Sequence, residues 1–226
     1  MDQNAGRTMQ RVGGLATIPA REKTLHSVIA SIVPQLNTLH VVLNGYTHVP
    51  DCVKHSAKVV YWLEDNSKGD AKKFMMADCP DCYYFSFDDD LIYPFGYCDY
   101  MVKGIDTYDA IVTLHGRNYP RPVISFRKWS ANYRCLGTVT EDVKVDLGGS
   151  GCMAFSTKRF KIQESDFKDK NMADVFIAQK AHEQDIPIMV LKHRPTYLQY
   201  LPQKRTIWMT TPNVNKQTEI LKSFLT

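Results

Sequence analysis

Three consecutive carboxylates, Asp88, Asp89 and Asp90, follow the run Tyr83-Tyr84-Phe85-Ser86-Phe87 and precede Leu91-Ile92-Tyr93-Pro94. The aromatic run reads as a strand covered on both faces. Three adjacent acids are an electrostatically poor way to end a strand unless a cation or hydrogen-bond donors meet them. In open α/β sheets ligands bind outside the carboxyl ends of the strands, where carboxylates can hold a hard divalent cation through oxygen. The other reading of the same stretch is a solvated acidic turn.

Such a strand needs neighbours, and the chain before it supplies them. Residues 12–18 read as a first strand broken at Pro19-Ala20-Arg21, and residues 22–33 as a helix with Leu25, Val28, Ile29 and Ile32 on one face. Residues 39–43, closed by Asn44-Gly45, and 58–63, closed by Glu64-Asp65-Asn66, read as further strands. Residues 69–77 open with glycine and an acid and continue in helix formers, so a helix is expected to lead into the aromatic strand and complete a third unit. After the acids, 95–107 reads as helix and 110–114 as strand. This alternation of strand and helix predicts a doubly wound α/β fold, a mostly parallel sheet with helices on both faces.

The second half is less regular. Pro120 and Pro122 interrupt it, and β-prone pieces at 123–126 and 135–139 predict a small, loop-rich β insertion. Gly148-Gly149-Ser150-Gly151 feeds a strand at 152–156. A helix is expected over 171–184 with Asn171 as N-cap and Asp174 in its first turn. A last strand covers 187–191 and ends in Lys192-His193-Arg194. The tail carries Trp208 and an amphipathic Ile220, Leu221, Phe224 pattern. One domain over 1–226 is expected, with halves of about 10–117 and 118–226.

With 44% hydrophobic and 23% charged residues, the chain of 226 has an ordinary globular composition. Its net charge of +4 comes from scattered Lys and Arg, without the basic tract that would announce nucleic acid. No apolar run approaches the ~18 residues of a membrane helix, and the polar start Met1-Asp2-Gln3-Asn4 has no signal-peptide core behind it, so a cytoplasmic location is expected. Six cysteines are sparse for this length, and reduced thiols are expected. Cys79-Pro80-Asp81-Cys82 has Cys-x-x-Cys spacing but lacks the second pair of a zinc site.

The order of these parts resembles the GT-A glycosyltransferases, and among them the family 2-like bacterial enzymes that build surface polysaccharides. The resemblance covers most of the chain. It rests on Asp88-Asp89-Asp90 as an Asp-x-Asp motif, with Ala16-Thr17-Ile18-Pro19-Ala20-Arg21, Leu43-Asn44-Gly45-Tyr46, Gly69-Asp70-Ala71-Lys72-Lys73-Phe74, Gly149-Ser150-Gly151 and the late helix with Asp174. It implies that Asp88 and Asp90, joined by His193, hold Mn²⁺ or Mg²⁺. Thr17, Pro19, Arg21, Asn44, Asp70, Lys73, Asp88 and Asp89 would line the nucleotide pocket, and Asp174 would be the catalytic base. The implied donor is a nucleotide diphosphate sugar, a UDP-sugar foremost. The implied acceptor is a glycan or glycolipid, with no transmembrane segment and with room for peripheral membrane association. Two departures stand out: many relatives have an acid where this chain has Asn44, and two adjacent acids where it has Ala173-Asp174.

His115 with Arg117 is a further candidate for acceptor or diphosphate contact, and Trp129, Tyr133 and Trp208 for stacking on sugars or for local core. Two rival functions are open. A nucleotidyltransferase would want a glycine and basic residues gripping phosphate straight after the first strand, and Ala20-Arg21-Glu22-Lys23 has no glycine. A non-catalytic nucleotide-sugar-binding module would be marked by loss of the late acid, which Asp174 retains.

Overall fold

Residues 10–64 supply three parallel strands in the computed structural model, which describes residues 9–203 and 213–226. They are β1 (Gln10–Thr17), β2 (Thr38–Asn44) and β3 (Val59–Glu64), with β2 paired to β1 and β3 to β2. Between β1 and β2 a 3-10 turn, Pro19–Arg21, leads into α1 (Glu22–Ile32), which buries Leu25, Val28, Ile29 and Ile32. That i, i+3, i+4, i+7 stripe is the expected apolar face. A short α2 (Asp51–Lys54) precedes β3.

The chain then returns across the sheet. β4 (Cys82–Phe87) pairs with the free side of β1, also in parallel. It is followed by β5 (Leu91–Ile92), α3 (Tyr97–Tyr108), β6 (Ile111–Thr113), β7 (Gly116–Asn118), β8 (Ala131–Tyr133), β9 (Val143–Val145), β10 (Leu147–Gly148) and β11 (Cys152–Ser156). The described chain closes with α4 (Ala173–Glu183), β12 (Ile188–Val190), β13 (Gln199–Tyr200) and α5 (Val214–Phe224).

The main sheet has eight strands in the order β3-β2-β1-β4-β11-β6-β12-β9. It is mixed. The strands from β3 to β4 run parallel, but β11 lies antiparallel to both β4 and β6, and β9 antiparallel to β12. The expected α/β sheet is therefore present, with fewer parallel contacts in its second half. Helices cover both faces: Leu15, Phe85 and Phe87 pack in one core with α1 and α3, and Tyr84 and Phe155 in another with α4 and α5. Neighbouring aromatics of β4 thus face opposite cores, which is why this strand has no polar alternation.

The β insertion is smaller than expected. β7, β8 and β10 form a three-stranded sheet, but 123–126 and 135–139 make no strand, contributing only the isolated bridges Ser125–Lys128 and Val139–His193 among the described residues. The expected helix at 69–77 is a 3-10 turn, Gly69–Phe74. Its Ala71 and Phe74, three apart, are both fully buried, and 3.0 residues per turn is the period that stacks them. The late helix begins at Ala173, and Asn171 is not its cap but sits in the left-handed region at φ 57°. Asparagine tolerates that conformation better than most residues.

Reduced cysteines were the expectation, and one pair departs from it: Cys79 and Cys82 form a disulfide, their Cα atoms 6.5 Å apart. Asp81, at φ 47°, turns the chain between them. Cys52, Cys98, Cys135 and Cys152 are free thiols. In the tail, α5 buries Leu221 and Phe224, while Trp208 lies outside the described residues. Among the described residues no helix is long and apolar enough to cross a membrane.

Candidate functional site

Because β1 to β4 are parallel, their carboxyl ends share one edge of the sheet. From β1 the chain moves outward to β2 and β3, then comes back to β4 on the other side of β1. That reversal of strand order opens a crevice between the ends of β1 and β4. Thr17 ends β1, Asn44 ends β2, and Asp88, Asp89 and Asp90 follow β4, so the turn chemistry read from the sequence lies at the topological switch point.

The 3-10 turn Gly69–Phe74 brings Lys73 into this crevice. Lys73 is 3% exposed, and its Nζ donates to Asp88 Oδ1 at 2.6 Å. The turn lies directly on β1: a Cβ at Gly14 would stand 1.9 Å from the Lys73 carbonyl oxygen, so only glycine allows that approach. The Tyr84 hydroxyl, rising from β4, donates to the same carbonyl at 2.6 Å. On the other side, the exposed Pro19 opens the turn that carries Arg21. Arg21 Nη1 lies 3.5 Å from Asp90 Oδ2, and Nε 3.9 Å from Asp89 Oδ1.

Asp88 is fixed from its own backbone. Its N–H donates to the Gly151 carbonyl at 3.2 Å and to the Tyr93 hydroxyl at 2.9 Å, and that hydroxyl donates in turn to the Gly151 carbonyl. The Tyr93 ring meets Phe87 edge-on at 4.8 Å, so the core beneath the site sets its position. Gly151 leaves room for the Asp88 carboxylate in this orientation, since a Cβ there would fall 1.9 Å from Asp88 Oδ2.

The same glycine turn ties Asp174 to β4. The Ser150 N–H donates to Asp174 Oδ1 at 2.9 Å, and the Ser86 hydroxyl donates to the Ser150 carbonyl at 2.7 Å. Asn171, just before α4, accepts the Asp70 N–H on its Oδ1 at 3.3 Å. Asn44 Nδ2 donates to the Gly69 carbonyl at 3.1 Å, which leaves Asn44 Oδ1 buried without a partner; Asp70 Oδ1 is also buried and unpartnered.

Five carboxyl groups, those of Asp70, Asp88, Asp89, Asp90 and Asp174, thus share a small space with the cations of Lys73 and Arg21. Burial, with Asp174 and Asp88 adding to it against Lys73, pushes Asp70 up to about 7. Burial raises Asp89 to about 6, against the Thr17 hydroxyl and Arg21. Asp90 rises to about 7 through burial and then the charges of Asp88 and Asp89. Burial works against the Lys73 charge, but Asp88 and Asp70 outweigh it and its pKa is raised. Negative charge is in excess, and the donors are hard oxygens. Their chemistry fits Mg²⁺ or Mn²⁺ better than a soft metal. Among the described residues no three His, Cys, Asp or Glu side chains form a self-sufficient metal group, so a cation here would take ligands from its substrate and water.

Other sequence candidates lie differently. His193 is buried, with Nδ1 at 2.7 Å from the Leu191 carbonyl and Nε2 at 3.1 Å from the Arg134 carbonyl. Neither ring nitrogen can reach a cation without giving up one of these contacts. Arg117 is 7% exposed, with its guanidinium 5.5 Å from the Phe126 ring and 5.1 Å from the Trp129 ring, and Nη2 3.4 Å from His115 Nε2. Trp129 and Tyr133 are partly buried against the α4 core. Tyr93 and Asn171 lie in the site without having been expected there, whereas Ser150 belongs to the Gly149-Ser150-Gly151 turn that was; the sequence signal for Tyr93 is a hydroxyl three residues after the acids, ahead of Pro94.

No protein-family model matches the chain, and no curated protein matches it in sequence. The chemistry of the site therefore rests on its own residues.

Proposed function

We propose that this chain is a metal-dependent, inverting glycosyltransferase of the GT-A type, moving a sugar from a nucleotide diphosphate sugar, a UDP-sugar foremost, to a hydroxyl of a glycan or glycolipid. The observation that carries the reading is the excess of partly buried carboxyl groups at the switch point between β1 and β4, with one lysine and one arginine set among them. Asp88 and Asp90 would hold the cation. When bound, it supplies Lewis-acid neutralisation of the charge that develops on a departing diphosphate.

The protein's own groups divide the remaining work. Arg21 and Lys73, now held by carboxylates, offer positive charge to the diphosphate. Asn44 Oδ1, buried and unpartnered, is an acceptor for an N–H or O–H of the nucleoside. The Ser150 amide holds Asp174 Oδ1, which orients the carboxylate and leaves Oδ2 to take the proton from the acceptor hydroxyl. Attack opposite the leaving group inverts the anomeric centre.

The test is a panel of nucleotide sugars incubated with the protein and candidate acceptors, with Mn²⁺ or with a chelator, reading release of free nucleoside diphosphate. Metal-dependent release from one donor, with a product of opposite anomeric configuration by NMR, is the expected result. Release that a chelator does not touch would remove the cation from the reading, and a retained configuration would remove Asp174 as the inverting base.

A further inference from the structure

The main sheet ends in two edge strands, and they are built differently. β9, at one end, is three residues long, centres on the exposed Lys144 and lies between Asp142 and Asp146. Short length and charge keep an edge from pairing with another chain. β3, at the other end, is six residues long and carries no charge from Val59 to Leu63. Val60 is 42% exposed, Tyr61 43% and Leu63 51%, and among the described residues no strand pairs with the outer side of β3. Successive side chains of a strand point to opposite faces, so Val60 and Trp62 extend the apolar edge on one face of the sheet and Tyr61 and Leu63 on the other. The Trp62 ring is set against that of His40 on β2, with centroids 5.0 Å apart.

The backbone of β3 is ready for a second neighbour. The Lys58 and Glu64 carbonyls accept from the Leu39 and Gly45 N–H groups on the β2 side, at 2.8 and 2.7 Å. An even number of residues separates Lys58 from Glu64, so the peptide groups of even-numbered residues face β2 and those of Val59, Tyr61 and Leu63 face outward. The Val59 N–H is taken by the Ser56 carbonyl at 3.0 Å.

We propose that this edge pairs with the same edge of a second copy of the chain, antiparallel and with Tyr61 on the two-fold axis. The Tyr61 N–H then donates to the Tyr61 carbonyl of the second copy, and the Leu63 N–H to its Val59 carbonyl, each bond made twice by symmetry. In this register Lys58 faces Glu64 of the second copy, Val59 faces Leu63 and Val60 faces Trp62, pairs of the kind that stabilise neighbouring strands. A run that begins basic and ends acidic is complementary to itself when reversed, and this selects a second copy as the occupant. Lys58 Nζ already donates to the Leu36 carbonyl at 2.8 Å, and Glu64 Oε2 lies 3.1 Å from Lys72 Nζ. An ammonium has further protons and a carboxylate a second oxygen, so each can add a contact across the seam.

Light scattering after gel filtration of the full chain, over a dilution series, tests this together with residue-resolved amide hydrogen exchange. The expected result is a mass twice that of the chain, falling to one chain on dilution, with the Leu63 amide exchanging about ten-fold or more slower in the dimer than in the monomer. Tyr61→Pro removes an N–H that faces away from β2, a place where an edge strand tolerates proline, and should yield a folded monomer. Leu63→Lys puts a charge on the same edge without touching the backbone and should weaken the dimer about ten-fold or more. If circular dichroism shows Tyr61→Pro unfolded, Leu63→Lys decides. A monomer at every concentration leaves the edge to some other partner and overturns the proposal. So does a dimer that both folded variants keep, a Leu63 amide that exchanges freely in the dimer, or open growth beyond two chains, which β3 on β9 would give. None of these readouts depends on sugar transfer.

Discussion

Lys73 Nζ stands 2.6 Å from Asp88 Oδ1, with the lysine side chain 4% exposed and the aspartate 43%. One oxygen of the first acid in the triple is therefore engaged by an ammonium group that has almost no water of its own. Lys73→Met should leave Asp88, Asp70 and Asp174 without their shared cation. Removing one partner of a buried pair costs about 3–5 kcal/mol, and the open side of Asp88 brings the expected loss down to about 2–3 kcal/mol. Urea unfolding near neutral pH reads it directly; an unchanged midpoint would mean that the lysine contributes no net charge compensation.

Stability should also depend on pH in a direction set by Asp70, Asp89 and Asp90. Their folded values, about 7, about 6 and about 7, lie above the ordinary 3.8. The folded state therefore keeps protons that the unfolded chain has released, and the stability these groups lend is full below 3.8 and lost as pH rises through about 7. The melting temperature should fall between about pH 5 and about pH 8, and Mn²⁺ added together with a nucleoside diphosphate should raise it more at the upper pH, where the carboxylates are ionised. Asp90→Ala should flatten this slope and weaken the response to Mn²⁺. A melting temperature that rises over this interval, or a full Mn²⁺ response in the variant, would contradict the assignment.

For Asp174 the informative change is to asparagine. The amide can still accept the Ser150 N–H, so α4 should keep its place and donor binding should persist. Sugar transfer should drop by roughly 10²-fold or more, with KM for the donor little changed. Steady-state rates and a donor titration on the same preparation separate the two effects. Transfer near the wild-type rate would leave Asp174 as a structural acid tying the glycine turn to α4.

Two glycines should respond in opposite ways. In Gly14→Ala the new methyl meets a backbone carbonyl, that of Lys73, at 1.9 Å, and in Gly151→Ala it meets the end of a side chain, Asp88 Oδ2, at 1.9 Å. The first cannot be relieved without lifting the 3-10 turn from the sheet, and overpacking of this kind costs about 1–3 kcal/mol or more. The second can be relieved by turning the Asp88 carboxylate away. Gly151→Ala should therefore melt close to the wild type while losing cation-dependent donor affinity, and Gly14→Ala should melt well below it. Thermal melts beside donor titrations check both; equal melting losses would contradict the difference.

The legible parts of this chain were those where one interaction dominates. The face of α1 and the aromatic strand β4 follow from burial alone, and the acids after β4 stand out because nothing in a strand end needs them. Less legible were elements decided by distant partners. The residues 69–74 carry helix formers, yet packing on β1 at Gly14 imposes a three-residue period that no local propensity contains. Asn171 has the composition of a helix cap, but its side chain is taken by the Asp70 amide, a hundred and one positions away in sequence.

The placement of β11 also bears on how the molecule comes together. The strands β3, β2, β1 and β4 can pair among themselves from the first ninety residues, and β6 and β12 pair with each other, but β11 alone joins the two groups, lying antiparallel between β4 and β6. Until residues 152–156 arrive, β4 has an open edge of unpaired amides and carbonyls on one of the most aromatic segments of the chain. An open edge of that kind recruits other strands. A fragment cut after residue 117 should therefore aggregate through β4 rather than persist as a free nucleotide-binding half. Synthesis of this protein carries its period of greatest exposure between the emergence of β4 and that of β11.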